Sequence, residues 1–396
     1  MTLFQSRKLL HYNVFVVLTS MRFWAPILIV FLHQKGLNYK DIALLQIWGY
    51  WISLLFDLPT SILADYLGRK MFIFLYSILG GIGFFLYWYS NSFSAFLFAE
   101  AFISFGAAFG RGVTDSYFYE ALKKYFPEQE HIKKKAFNSS LLYISLGLSA
   151  LVGGFVADIW SMEFCFLLSG IGYLLSALVV LFSFEDSTFK RKFQLKDLQG
   201  HFRTATTVFK NNFIVRLCVE YFLFISITNV FLFTYLQPLL KSYHLENYAL
   251  GIVYLLLNAF NYTVFTVLKT RISINGKYYN IICATSLLAI PLINQPIIAI
   301  LLVFSCYFSF YMRTNGIFLE MNKLIADETR STFSSLINLI AIVALSLHQF
   351  VFSLIMETYN IKAVLITMGV VLVFVFFGLQ FIFRSKKGVD IHYETQ

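Results

Sequence analysis

Charged side chains are scarce in this chain of 396 residues: Asp, Glu, Lys and Arg make up 13% of it, whereas 58% of the residues are hydrophobic. Soluble domains carry about 25% charged and about 45–50% apolar residues. A water-soluble core has no room for that much additional apolar surface. The composition therefore excludes an ordinary soluble domain and indicates that the solvent of this protein is a lipid bilayer.

Cysteines and catalytic motifs are also lacking. The four cysteines, Cys165, Cys218, Cys283 and Cys306, lie inside apolar runs without the spacing of metal ligands, so we expect inert packing residues, no metal and no cofactor. The sequence has no H-E-x-x-H, G-x-S-x-G or Walker lysine motif, which argues against an enzyme and against direct use of ATP. The first apolar run is too long for the h-region of a secretory signal peptide and lacks a small-residue cleavage site.

Long apolar runs are what the sequence does contain. A membrane helix needs about 20 mainly apolar residues, and twelve runs meet this requirement. The predicted spans are 10–34, 41–63, 71–90, 94–120, 137–157, 163–184, 213–237, 248–268, 279–293, 297–320, 332–356 and 361–383.

The basic residues predict how these spans are oriented. The net charge is +10, but Lys and Arg lie in short loops between apolar runs, which is a topology signal rather than a nucleic-acid surface. With the N-terminus in the cytoplasm, the external loops hold only Lys35, Lys40, Lys241 and Lys362. We therefore expect a multi-pass protein of the plasma membrane with both termini cytoplasmic.

A polar connection at 185–212 divides the predicted spans into two groups of six. It contains Lys190-Arg191-Lys192 and is either a solvated tether or, in part, an amphipathic surface helix. The two halves echo each other, because Arg111 precedes Phe118-Tyr119-Glu120 just as Arg313 precedes Phe318-Leu319-Glu320. Weak internal symmetry of this kind is typical of transporters built from two repeats. We predict an N-terminal bundle at 1–184, a cytoplasmic linker, a C-terminal bundle at 213–383 and a cytoplasmic tail at 384–396.

The loop between predicted spans two and three carries the most specific motif. Its acidic residue, glycine and two basic residues are Asp65, Gly68, Arg69 and Lys70. This stretch resembles the loop signature G-x-x-x-D-x-x-G-R-K of the major facilitator superfamily, with Ser61 in place of the first glycine. A glycine at position 68 permits a tight turn that a Cβ atom would strain.

Two further stretches resemble a bacterial branch of that superfamily, namely Asp57-Leu58-Pro59-Thr60 and the run from Gly112 to Leu122. The resemblance implies an all-α membrane protein with twelve transmembrane helices in two pseudo-symmetric six-helix bundles. It also implies a cytoplasmic gate that includes Asp65, Arg69 and Lys70 and, less directly, Glu120. We expect Asp57 to belong to the same ion network. The glycine-proline pattern that proton–drug antiporters often show in helix five is not present, so antiport has no support from that motif.

Ionisable side chains inside the spans are candidate functional groups, because each costs at least about 2.5–3.5 kcal/mol at the bilayer centre unless it is paired or hydrated. Arg22 lies near the middle of predicted span one and stays charged. It either holds an anionic group of the substrate, pairs with a coupling carboxylate, or forms a fixed buried ion pair.

Predicted span four carries Glu100, Arg111 and Asp115. Glu100 and Arg111 are three helical turns apart and would share a face, and Arg111 and Asp115 have the i,i+4 spacing of an ion pair. Glu100 is the candidate for a carboxylate that binds and releases protons, although an acid at the outer interface is the alternative. We expect Arg111, Asp115 and Glu120 to belong to the gate or to a structural network.

Candidate residues in the second half of the chain give less specific functional predictions. Arg216 and Glu220 have i,i+4 spacing and are expected to pair, whereas Arg313 has no acid within one turn. His348 either relays protons or makes a helix contact. Asn229, Asn258 and Asn261 lie within spans, where interhelical hydrogen bonds and substrate contacts are equally good explanations.

Taken together, these residues predict a monomeric secondary transporter that works by alternating access and takes a small-molecule substrate, with protons as the expected coupling ion. The aromatic-rich sequence slightly favours export of amphipathic compounds. An uptake permease for a small anionic or polar metabolite is the alternative, which an unpaired Arg22 would favour. A membrane-embedded enzyme or sensor is a remote third.

Overall fold

The computed structural model describes residues 3–185, 212–263, 277–324 and 330–384 of the chain. Within these residues the secondary structure is helical, without a β-strand. The α-helices of the described part, numbered in chain order, are α1 Leu3–Thr19, α2 Leu28–Gln34, α3 Tyr39–Leu67, α4 Arg69–Tyr89, α5 Phe93–Gly110, α6 Val113–Tyr125, α7 Glu128–Ile159, α8 Met162–Ser183, α9 Asn212–Glu220, α10 Ser226–Val230, α11 Leu236–Ser242, α12 Asn247–Thr263, α13 Lys277–Ala289, α14 Pro296–Leu324, α15 Arg330–Thr358 and α16 Ile361–Arg384.

Eight helical stretches of the described part are long and apolar enough to cross a membrane: Arg69–Tyr89, Phe93–Tyr125, Glu128–Ile159, Met162–Ser183, Phe213–Ser242, Pro296–Ile317, Ile337–Thr358 and Ile361–Leu379. Two shorter apolar helices, Leu9–Thr19 and Tyr278–Leu292, lie on predicted spans one and nine. The structure is thus that of a multi-pass membrane protein, and the total of twelve spans stays a prediction.

The first predicted span is interrupted, contrary to the expectation of one helix over 10–34. Helix α1 ends at Thr19 and α2 begins at Leu28, and the residues between them form turns. Pro26 lies in this gap and has no backbone N–H to offer a preceding carbonyl. The interruption places Arg22 on a non-helical segment instead of on a helix face.

The fourth predicted span is also divided. Helix α5 ends at Gly110, Arg111 has extended backbone angles, and Gly112 has a φ of +72° before α6 begins. Glycine adopts this left-handed conformation without the steric cost that a side chain would bring. The expected shared face of Glu100 and Arg111 therefore does not exist, because the helix ends between them.

The predicted span seven contains two π-helical turns, Tyr221–Ile225 and Phe231–Tyr235, which join α9 to α10 and α10 to α11. Each π turn holds one residue more than an α-helical turn would, so the faces of the helix shift at both places.

The chain divides into two compact units. The first comprises Met1–Phe193 and Leu236–Ile272, and the second comprises Gln194–Tyr235 and Ser273–Gln396. In the first unit α4 packs against α5 and α8, and α12 packs along α7. In the second unit α13 packs against α14 and α16. The predicted boundaries of the two bundles stay a prediction, and most of the linker and of the C-terminal tail lies outside the described residues.

Candidate functional site

The turn between α3 and α4 carries the loop motif. Gly68 has a φ of +99° and its N–H donates to the carbonyl of Ala64, so the motif glycine stands where a positive φ is required. Arg69 begins α4 and its guanidinium lies 2.5 Å from a carboxylate oxygen of Glu120 on α6. Lys70 follows on α4 and is half-buried, and the side chain of Asp65 lies outside the described part of the structure. The turn is therefore joined to α6 through a charged pair.

Arg111 pairs with an acid other than the one expected. Its Nη1 lies 3.7 Å from Oδ2 of Asp57 on α3. No ion pair joins it to Asp115 in the part of the chain that the structure describes, because the break at Gly112 destroys the i,i+4 spacing. Asp115 instead lies in the first turn of α6, where a carboxylate interacts favourably with the helix dipole.

The segment between α1 and α2 is held by hydrogen bonds to its backbone. The N–H of Arg22 donates to Ser149 Oγ on α7 at 3.1 Å, and the N–H of Phe23 donates to Ser169 Oγ on α8 at 3.2 Å. Gly153 of α7 lies so close that a Cβ atom there would be 1.9 Å from the Phe23 carbonyl oxygen. Two serine hydroxyls thus accept from backbone N–H groups of the interrupted segment, and Gly153 permits the close approach of α7.

The side chain of Arg22 is exposed, and among the described residues no carboxylate lies within ion-pair distance of it. Two residues further along, the indole N–H of Trp24 is buried and has no hydrogen-bond partner in the described ranges. In the described part of the chain, the segment therefore carries an exposed guanidinium without an acidic partner and, two residues later, a buried indole N–H without an acceptor.

Glu100 on α5 accepts hydrogen bonds from two hydroxyl groups. Tyr87 donates to Oε2 at 2.5 Å, and Ser104 donates to Oε1 at 3.0 Å. Gly49 of α3 lies directly against the carboxylate, since a Cβ atom there would be 2.4 Å from Oε1. No cation lies within ion-pair distance of Glu100 in the described residues, so the carboxyl group is held by neutral partners alone.

Gln237 and Asp158 make polar contacts between helices that the sequence did not predict. The side chain of Gln237 on α11 accepts from the N–H of Ile29 at 2.8 Å and donates to the carbonyl of Ala25 at 2.9 Å. Asp158 at the end of α7 accepts from the N–H and the side chain of Asn247 and from the N–H of Tyr248, at the start of α12. An amide at the end of an apolar run and an acid near a helix end are common in any sequence, so no sequence signal marked them.

The second unit contains a buried network around Arg313. Its Nε and Nη2 donate to the two carboxylate oxygens of Glu220 at 2.5 and 2.7 Å, and its Nη1 donates to Glu320 at 3.1 Å. The side chain of Asn280 donates to Glu220 at 2.7 Å. The expected pairing of Glu220 with Arg216 is therefore wrong. Arg313 has no acid within one turn of its own helix, and it pairs with Glu220 and Glu320, which lie further away in the chain.

The remaining candidates are His348, Asn258 and Asn229, and none of them forms an ion pair in the described residues. His348 on α15 is buried, with Nδ1 2.8 Å from Ser226 Oγ and its ring against Phe352 and Phe222. Asn258 donates to the carbonyl of Tyr254 one turn earlier in its own helix. Asn229 is half-buried on α10. His348 thus contacts Ser226 of α10, and the roles of His348 and of the two asparagines in transport stay predictions.

The four cysteines are buried and unpaired, and no group of metal-ligating side chains occurs in the described ranges.

Comparison with known proteins identifies one family. The family model of the Major Facilitator Superfamily matches residues 11–341. An uncharacterised MFS-type transporter of Methanocaldococcus jannaschii is 22% identical over 250 residues, which are 62% of this chain. The match spans 63% of that relative's length.

Solved structures share the fold. A variant of the nucleoside transporter NupG gives a TM-score of 0.76 at 15% identity, over 96% of this chain and 100% of that one. A bacterial homologue of the human lysosomal transporter Spinster gives 0.75 at 14% identity, over 97% and 98%. The human organic anion transporter MFSD10 gives 0.61 at 14% identity, over 95% and 99%. At these identities the likeness concerns the fold alone.

Proposed function

Since this chain belongs to the Major Facilitator Superfamily, we propose that it is a secondary transporter that carries a small organic anion by alternating access, with Arg22 as the residue that binds the anion. The family and the solved structures that share the fold are transporters, so membership indicates transport rather than catalysis.

The observation that carries the anion proposal is the state of Arg22. Arg111 pairs with Asp57 and Arg313 pairs with Glu220, but Arg22 is exposed and has no acidic partner among the described residues. A guanidinium in a membrane span requires an anion, water or a cluster of carbonyl groups. A carboxylate or phosphate group satisfies its fork of N–H donors better than any neutral solute does.

The geometry of the segment supports the same role. Ser149 and Ser169 hold the backbone of Arg22 and Phe23, so the guanidinium extends from a fixed backbone. Binding then requires little reorganisation of the backbone.

Glu100 is the proposed proton-coupling residue. It lies on a membrane-spanning helix, accepts bonds from Tyr87 and Ser104, and has no cation beside it in the described part. A carboxyl group with neutral partners exchanges a proton without breaking an ion pair. We further propose that the protein is a monomer of the plasma membrane with both termini in the cytoplasm, and the distribution of basic residues favours this orientation. Export of amphipathic compounds is the alternative, and it rests on the aromatic-rich composition.

The test uses proteoliposomes and a panel of small carboxylates and phosphates beside neutral amphipathic compounds. We expect the parent protein to carry at least one anion, and Arg22→Gln to reduce that transport at least tenfold, mainly by raising KM. Arg216→Gln is the matched control, because Arg216 also lacks an ion pair in the described residues but lies on a different helix, α9. Anion transport that survives Arg22→Gln unchanged, or transport of neutral compounds alone, overturns the proposal.

A further inference from the structure

One backbone hydrogen bond of the interrupted first span is replaced by bonds to a side chain from another helix. The carbonyl of Ala25 and the N–H of Ile29 stand four residues apart, which is the spacing of an α-helical hydrogen bond. The carboxamide of Gln237 lies between them, donating to the first at 2.9 Å and accepting from the second at 2.8 Å. Gln237 thus takes the place of the backbone hydrogen bond between Ile29 and Ala25, which lie more than 200 residues earlier in the chain.

This bridge requires a carboxamide. A side-chain amide donates and accepts at the same time, whereas an ionised carboxylate only accepts and an aliphatic side chain does neither. Gln237 is 2% exposed, so water is not available to replace it. A third bond, at 3.2 Å, joins its nitrogen to the hydroxyl of Tyr254 on α12.

The backbone groups that Gln237 contacts belong to the segment that carries Arg22. Ala25 is three residues after Arg22, and the N–H of Ala25 donates to the carbonyl of Arg22 at 3.1 Å. The same segment contacts α7 through Ser149 and Gly153 and α8 through Ser169. The backbone around the proposed anion-binding arginine is therefore held by α7, α8 and Gln237.

Close packing of α7 against α12 accompanies this arrangement. A Cβ atom on Gly154 would lie 2.5 Å from the carbonyl oxygen of Asn247, and one on Gly251 would lie 2.7 Å from that of Ala150. Asp158 accepts the backbone N–H groups of Asn247 and Tyr248 at the start of α12. Backbones approach this closely only where glycine replaces larger residues.

The predicted division of the chain at 185–212 assigns the partners of these contacts to different halves. Helices α1, α2, α7 and α8 belong to the predicted first half, and α11 and α12 belong to the predicted second half. Alternating access moves such halves against each other around the binding site. The bonds of Gln237 and the α7–α12 contact must then break whenever the end of the protein at which they lie opens to solvent.

We propose that Gln237 is a positioning residue: it holds the segment that bears Arg22 against α11 and α12 while this end of the protein is closed, and it releases the segment when this end opens. The inference rests on the proposed function, because it makes the anion-binding segment part of the closure. It assigns Gln237 no direct contact with the substrate.

The test measures opening directly. Ala150 is 1% exposed in the α7–α12 contact, and Ala150→Cys, with the four native cysteines replaced by alanine, serves as the reporter for a small membrane-impermeant thiol reagent. We expect Gln237→Leu to raise the labelling rate about tenfold, which corresponds to ~1.4 kcal/mol. We expect Gln237→Glu to raise it at least as much, because an ionised carboxylate keeps the bond from Ile29 but lies buried and unpaired against the carbonyl of Ala25. Ser242→Ala is the control, because Ser242 Oγ bonds only to a carbonyl of its own helix.

A kinetic measurement separates positioning from a general loss of structure. For substrate supplied from the side on which the labelling occurs, Gln237→Leu lowers the apparent KM up to tenfold, because a larger fraction of the protein is open there. A purely structural defect lowers the maximal rate instead. Gln237→Glu provides the same comparison if the leucine variant does not fold.

The outcomes distinguish this inference from the proposed function. An unchanged labelling rate in both Gln237 variants overturns the role of Gln237, whatever the substrate is. Raised labelling together with anion transport that is insensitive to Arg22→Gln supports the closure and overturns the anion role of Arg22, because the labelling assay requires no ligand.

Discussion

Arg313 and Glu220 form a bidentate ion pair in which both guanidinium–carboxylate bonds are 2.7 Å or shorter. The two side chains are buried and stand 93 residues apart in the chain. Asn280 and Glu320 complete the hydrogen bonding around the pair. Such satisfied geometry offsets the cost of removing two charges from water, which makes this pair the charged centre of the second unit.

Removing one member of this pair is expected to destabilise the protein strongly. Arg313→Met leaves the Glu220 carboxylate buried without its cation, and the expected loss is about 3–5 kcal/mol. The measurement is thermal unfolding of the purified protein in detergent.

The double variant Arg313→Met/Glu220→Leu is the informative companion. Because it removes both charges, we expect it to recover a large part of the loss. If the double variant is as unstable as the sum of the two single variants, the pair does not act as a unit.

Glu100→Gln is expected to uncouple transport from the proton gradient while the protein stays folded. Glutamine keeps an oxygen that accepts from Tyr87 or Ser104 but binds no exchangeable proton as an acid does. In proteoliposomes, an imposed proton gradient should no longer accelerate transport, whereas exchange without a gradient continues.

The control for Glu100 is Glu163→Gln. Glu163 pairs with Lys35 at 2.8 Å and is partly exposed, so gradient-driven transport should survive its substitution. Acceleration that persists in Glu100→Gln would show that coupling lies elsewhere.

Reversing the charges of Arg69 and Glu120 is expected to restore what each single reversal removes. Arg69→Glu sets two carboxylates against each other at the turn after α3, and we expect transport to fall at least tenfold. In the double variant Arg69→Glu/Glu120→Arg the attraction returns, so most of the rate should return with it. Transport that stays low in the double variant would mean that the other contacts of Arg69 matter more than Glu120 does.

Gly154→Ala is expected to separate α7 from α12. The added Cβ meets the backbone of Asn247, Tyr248 and Gly251 at 2.5–3.1 Å, and backbone atoms do not rotate away as a side chain does. We expect a lower unfolding temperature and faster labelling of the reporter at position 150. Gly378→Ala is the matched control, because nothing lies within 4 Å of its Cβ position, and it should leave both quantities unchanged.

The sequence predicted the helical runs because bilayer thickness and backbone hydrogen bonding fix their length and polarity. The bounds of α4, α8 and α16 differ little from the predicted 71–90, 163–184 and 361–383. It did not predict the gap at 20–27, although Arg22 and Pro26 lie there, because proline also occurs within continuous membrane helices. The serines of α7 and α8 and the carboxamide of α11 make the gap tolerable, and their proximity exists only in the folded chain.

Ion pairs show the same limit. The spacing rules for one helix paired Arg111 with Asp115 and Arg216 with Glu220, and both pairings are wrong. Arg111 is drawn to Asp57 because Gly112 ends the helix, and Glu220 reaches Arg313 on another helix. A rule based on i,i+4 spacing assumes a continuous helix and no better partner, and neither condition can be read from sequence separation.

The bridge from Gln237 to Ala25 and Ile29 also bears on how the protein is made. The first span is synthesised about two hundred residues before the side chain that completes its hydrogen bonding. In hydrocarbon each unsatisfied backbone group costs several kcal/mol. We therefore expect the interrupted form of the first span to become stable only after α11 has been made.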